Sequence, residues 1–224
     1  VLVEAAIILP LLFLLIFGVM EIGSMLKAYS GANNAVRAAG RMASVAGNDA
    51  DADLSIMERM ATEASGLKAS EIEYVVVWHA TAVGDEPPAA CRPAVQASPN
   101  STSIGVSDGG TDALGACNIY HRPALPGGAF DMAQGQAGNP ASYYFGCSGS
   151  SDPDAGHKVD CNWPGRNRQV TTTPRGVTPV ERPDYLGVYI RSEHTAITGV
   201  LGTTFTITDS GVNLLEPQGY SIAA

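Results

Sequence analysis

VLVEAAIILPLLFLLIFGVMEIG fills residues 1–23, and its reading decides the fold. From Ala5 to Met20 it carries no charge, while Glu4 and Glu21 stand on either side. At about 1.5 Å per residue, a helix of this length covers roughly 34 Å, enough to cross a bilayer core of about 30 Å. A secretory signal places basic residues before its apolar run and a small-residue cleavage site after it. Here nothing basic precedes the run, and EIGSMLKAYSGANNAVRAAGRMASVAG (residues 21–47) carries it onward in helical register. The expectation is one long helix over residues 1–47, apolar in its first half and amphipathic with many small residues in its second. Pro10 lacks a backbone donor and is expected to bend or locally open it. The chain starts without methionine, which points to a matured chain or a piece of one. Glu4 is costly in such a span unless it finds a partner or reaches the interface.

Composition narrows the rest. The chain has 224 residues and a formal net charge of −9, and its Lys and Arg residues are scattered. Phosphate binding needs a concentrated basic surface, so no nucleic-acid contact is expected. Cys91, Cys117, Cys147 and Cys161 all lie in the Gly- and Pro-rich middle of the chain. An even number of cysteines in a loop-rich region reads as two disulfides in an oxidising compartment. Three pairings are open. Nearest neighbours, Cys91–Cys117 and Cys147–Cys161, leave the shortest loops.

Residues 48–224 read as a globular head. DADLSIMERMATEASGLKAS (51–70) has apolar residues at helical spacing, with Asp51 or Asp53 as N-cap and Gly66 as a C-terminal stop. EIEYVVVWHATAV (71–83) is rich in β-branched and aromatic residues and predicts a strand. Residues 85–182 show little periodicity and read as a loop-rich, cysteine-containing insert, braced by its disulfides. DYLGVYIRSEH (184–194) predicts a second strand, TAITGVLG (195–202) a short helical turn or crossover, and TTFTITDSGVNLLEP (203–217) a third strand. The fold class is α+β: a long N-terminal hydrophobic helix, and a head in which a small antiparallel sheet packs on the helix's second half.

Motifs for catalysis are lacking. There is no Gly-Lys-Ser/Thr phosphate loop, no His-Glu-x-x-His and no Gly-x-Ser-x-Gly. Cys147 beside His121 or His157 would need a reduced thiol, and cystine is the expectation. Those residues with Cys161 lack the Cys-x-x-Cys spacing of a zinc knuckle. Neither an enzyme nor a cofactor is expected. Asp152, Asp154 and Asp160 around Gly156 alternate acids with a turn glycine, as calcium ligands do, and the alternative is a solvated acidic turn. Tyr143, Tyr144, Phe145 and Trp163 are either exposed aromatics for adhesion or pins that fasten the insert to the head.

VLVEAAIILPLL (1–12), FGVMEIG (17–23) and the arginine-containing NNAVRAAGRMAS (33–44), with YLGVYIR (185–191) and LLEP (214–217) near the end, resemble the TadE-like proteins. These are type IV pilin-like subunits of the tight-adherence (Tad) pilus. The resemblance covers residues 1–80 and 184–217 and leaves the 85–182 insert unmatched. It implies cleavage by a prepilin peptidase and storage in the cytoplasmic (inner) membrane. The pilus assembly machinery would then draw the chain into an extracellular helical filament, a homo-oligomer with the helices inside. In that setting Glu4 is expected to pair with the α-amino group of Val1 on a neighbouring subunit. Glu21 is read either as an interfacial residue or as a contact to Arg37 or Arg41 of another subunit. Gly18, Gly23, Ala35, Ala38, Ala39 and Gly40 would allow close helix approach in a bundle, or else pack only on their own head. The function implied is a structural pilin serving adhesion, surface colonisation or DNA uptake. The alternatives are a minor pilin or pseudopilin that primes or tips the pilus, the usual role of larger-headed TadE-like proteins, and a monomeric membrane-anchored binding module.

Overall fold

The first helix, α1, runs from Leu2 to Ala46 and continues through Pro10, whose missing donor costs a hydrogen bond without ending the element. It is about 67 Å long. It stops where Gly47 takes up the left-handed conformation (φ 57°) and donates its N–H to the Ala43 carbonyl. The structure, a computed structural model, describes residues 2–64, 66–92, 105–106, 117–121, 140–148, 152–153, 158, 160–169, 183–199 and 202–216, with side chains in α1 from residue 6 onward. Val1, the side chain of Glu4 and much of the insert lie outside this description.

A tight turn leads into α2 (Ala52–Glu63). Asp51 stands at its N-cap without making a side-chain capping bond, and Asp53 lies buried inside the helix. Gly66 is not the stop: the helix ends at Glu63 with Ala64 as C-cap. Gly66 has a different task. It passes so close to α1 that a Cβ there would lie 2.3 Å from the Lys27 carbonyl, and one on Gly31 would lie 2.7 Å from the Gly66 Cα. Two bare backbones meet where no side chain fits.

Among the described residues the sheet has five strands, β1 (Ile72–Ala80), β2 (Gly105–Val106), β3 (Cys117–His121), β4 (Tyr185–Thr195) and β5 (Thr204–Leu214). They lie in the order β2-β3-β1-β4-β5, all neighbours antiparallel. The insert is therefore not wholly loop, since β2 and β3 extend the sheet beyond β1. The residues of CNIYH (117–121) form too short a run for periodicity to reveal, and pairing with β1 is what makes them a strand. In place of the helical turn expected at 195–202, Thr195 still belongs to β4, and the described residues 196–199 and 202 lie at the tip of the β4–β5 hairpin. Register from Tyr185↔Leu214 to Thr195↔Thr204 carries both strands to the turn, and the Ala196 N–H donates to the Thr203 carbonyl.

One face of the sheet packs under both helices, not under one alone. Val75, Val77, Leu186, Val188, Ile190 and Ile207 meet Ala28, Ala32, Ala35, Ala39 and Ala43 of α1 and Ile56, Met57 and Met60 of α2. The alanines follow spacings of three and four and form one stripe. Their small side chains let the helix axis lie close to the strands, so this half of α1 belongs to the core of the head. The other face holds a second cluster, Tyr74, Val76, Trp78, Ile119 and Tyr189, around the Cys91–Cys117 disulfide. β1 is buried on both faces, which accounts for its unbroken apolar run.

Because both backbones are already in contact at the crossing, Gly31→Ala and Gly66→Ala should each lower stability by about 1–3 kcal/mol. Gly18→Ala, with nothing within 4 Å of its Cβ position, should instead raise stability, by up to about 1 kcal/mol through helix propensity. Denaturant unfolding in detergent, followed by tryptophan fluorescence, measures all three.

Candidate assembly interface

From Ala6 to Met20, α1 stands clear of the head. Ile7 is 71% exposed, and Leu11, Leu14 and Val19 are similarly open, on all sides of the helix. By length and composition, this helix is long and apolar enough to cross a membrane. Gly18 and Gly23 leave flat, uncovered spots where another helix can come close. Of the other small residues, Ala35, Ala39 and Gly40 are buried against the chain's own head, and Ala38 is half-buried beside an open groove.

Glu21 marks the border. It is only 1% exposed, and its Oε2 accepts hydrogen bonds from the Thr198 N–H (2.9 Å) and hydroxyl (2.8 Å) at the hairpin tip. This carboxylate is latched inside its own chain, onto the hairpin tip. Thr198, 177 residues downstream, carries no motif that could have announced the pairing. A turn further along, the Ser24 hydroxyl lies 3.3 Å from His194 Nε2, and His194 Nδ1 lies 3.3 Å from Glu71 Oε2. Burial works to raise the Glu71 carboxyl, but the hydrogen bonds and charges of His194 and Lys68 hold it below its ordinary value. Polar contacts thus tie the lower edge of the sheet to α1.

Arg37 and Arg41 project into an open groove between α1 and α2, lined also by Asn34, Met42, Arg59 and Glu63. Arg59 pairs with Glu63 at 3.1 Å. Arg37 and Arg41 make no ion pair among the described residues.

The insert is fastened by chemistry of its own. Disulfides join Cys91 to Cys117 and Cys147 to Cys161. Asp53 of α2 sits at the centre of a buried network. Its Oδ1 accepts from Arg168 Nη2 (2.6 Å), and its Oδ2 accepts from Asn118 Nδ2 (2.7 Å) and the Tyr120 hydroxyl. Arg168 also donates to the Trp163 carbonyl and stacks on the Trp163 ring, with His79 stacked nearby on the same indole. Burial and the Asp53 charge raise the Tyr120 hydroxyl well above its ordinary pKa. Trp163 and Phe145 are wholly buried, so both pin the insert and neither offers itself for adhesion. One signal of this network was visible in the sequence: Asp53 falls on the same helical face as Ile56, Met57 and Met60.

Of the three acids considered as calcium ligands, Asp152 and Asp160 accept hydrogen bonds from nearby turns. Asp152 takes the Ser148 N–H and hydroxyl and lies 3.4 Å from the Lys158 ammonium. Asp160 takes the N–H groups of Gly146 and Cys147. Asp154 lies outside the described residues. Asp160 lies close to Cys147 and Cys161, but both sulfurs are committed to their disulfide and offer no thiolate.

A family model described as TadE-like protein matches residues 1–41. No curated protein and no solved structure matches the chain. The match falls on the N-terminal part of the stretches that carry the resemblance, so α1 is similar to the TadE-like segment, while 42–80 and 184–217 lie beyond it.

Two outcomes follow from these contacts. Glu21→Ala removes the acceptor of the Thr198 amide, so hydrogen exchange at residues 196–199 should speed up while the β1 amides stay protected. Burial, then the charge of Asp53, pushes the Asp160 carboxyl up to about 6. The native state therefore binds that proton more tightly than the unfolded chain does. Its contribution makes the head more stable as pH falls from above 6 towards the ordinary value of 3.8. Tm measured between pH 7.5 and 5 should show this rise, and Asp160→Asn should flatten it.

Proposed function

We propose that this chain is a pilin-like subunit of a Tad pilus, held in the membrane by the first half of α1 and polymerised through that same half. The observation that carries this reading is a fully apolar half-helix, uncovered on every side, projecting from a folded, acidic, disulfide-braced head. Such a surface demands cover. A bilayer provides it before assembly, and neighbouring α1 helices provide it afterwards. Gly18 and Gly23 supply the close-approach points. Arg37 and Arg41, exposed along the groove between α1 and α2, would meet an acidic surface of the next subunit. Glu4, the lone acid at the far end of the apolar run, finds its counter-charge on a neighbour, where pairing offsets the cost of burying it. The role is structural, and no step of it calls for catalysis.

Immunogold labelling of sheared surface filaments, with an antibody to the head, tests the assignment. Gold along the full filament length is expected. Glu4→Ala should leave the chain in the membrane fraction and remove it from filaments. A normal filament yield from Glu4→Ala would sink the pairing. Gold absent from the shaft, with all protein in the membrane, would favour the minor-pilin or anchored-module reading.

A further inference from the structure

We propose that the tip of the β4–β5 hairpin is a second lipid contact, in which Ile197 enters the bilayer interface beside α1 and seats the head on the membrane. The inference rests on the membrane-anchored reading of α1. Three observations carry it.

The first is level along the helix axis. Thr198 is bonded to Glu21, the first acid after the uncharged run from Ala5 to Met20. The hairpin tip therefore sits at the height where the apolar run ends on the head side. The second is the open side of α1, where Ile22, Leu26 and Tyr29 are each more than half exposed. Tyr29 lies eight residues past Glu21, about 12 Å further along the axis. A bilayer that covers this apolar face, with the tyrosine ring at its boundary, extends above the level of the hairpin tip. Lipid there meets the hairpin as well as the helix.

The third observation is chemical. AITGVLGT (196–203) contains no charge. Ile197 is 61% exposed although the residue after it is fixed to α1. The tip thus offers an apolar side chain beside an anchored residue, and its neighbour Thr198 covers the Glu21 carboxylate. A bare Glu21 would oppose lipid contact, and the latch hides it. Anchoring at two points, α1 and the tip, would also hold the long axes of the strands at a defined angle to the membrane.

The test uses the full chain reconstituted in phosphatidylcholine/phosphatidylglycerol vesicles, with and without bromine on the acyl chains. Trp78 and Trp163 are buried in the head and give a constant background. Three variants each add one tryptophan: Leu12→Trp within the span, Ile197→Trp at the tip, and Val83→Trp, exposed just beyond the opposite end of β1. Brominated lipid should remove roughly half or more of the added emission in Leu12→Trp and Ile197→Trp, as befits rings at or below the interface. Val83→Trp should be unchanged. If Leu12→Trp is quenched and Ile197→Trp is not, the tip does not touch lipid and the proposal falls while the anchor stands. If Leu12→Trp is also unquenched, the anchor reading fails and takes the proposal with it. Blue-shifted but unquenched emission from Ile197→Trp would mean that a second copy covers the tip, which also overturns the proposal.

Discussion

The stripe of alanines on the second half of α1 is the constraint from which the rest of the structure follows. Ala28, Ala32, Ala35, Ala39 and Ala43 are essentially without solvent contact. Each buries little area alone, but together they bring a helix backbone close to β4, β5 and α2. A larger residue at any of these positions would push the sheet away. The Gly31–Gly66 crossing applies the same rule at its limit, with no side chain on either side. Close approach in turn fixes the height of the sheet on the helix, and so brings the hairpin tip to Glu21.

The insert is held by a different kind of force. Its disulfides limit how far the chain can stray when unfolded. Its placement on the head depends on Asp53, buried and engaged by Arg168, Asn118 and Tyr120. A buried charge is costly unless its partners are complete, and these partners come from β3 and from the 163–168 segment. The network therefore favours one arrangement of the insert over the many that a greasy contact would tolerate. Asp160 remains in tension nearby, since its backbone donors stabilise the charged form while burial and Asp53 oppose it.

These two devices leave α1 divided between two environments. Beyond Glu21 the helix is a core element of the head. Before it, the helix has no cover from its own chain. The Glu21–Thr198 latch sits at the division and closes the head just where the apolar surface begins. The head is thus closed by contacts of its own chain, independent of whatever covers the exposed half of α1.

Much of this was legible in the sequence, because local patterns write it there. An uncharged run from Ala5 to Met20, small residues at helical spacing up to Ala46, and VVVW in a β-branched stretch depend on near neighbours, and near neighbours determine helix and strand. So do the long helix, α2, β1, β4 and β5, and the family resemblance borne by the first 41 residues. What the sequence alone could not decide were the pairings across distance. Glu21 could not be matched to Thr198, nor Asp53 to Arg168. CNIYH gained strand character from pairing with β1 and β2, and Ala196 to Gly199 lie at a hairpin tip because β4 and β5 pair along their full length. The tertiary structure settled these for one physical reason. A buried polar group must be satisfied by whatever the fold brings near it, and that neighbour has no fixed place along the chain.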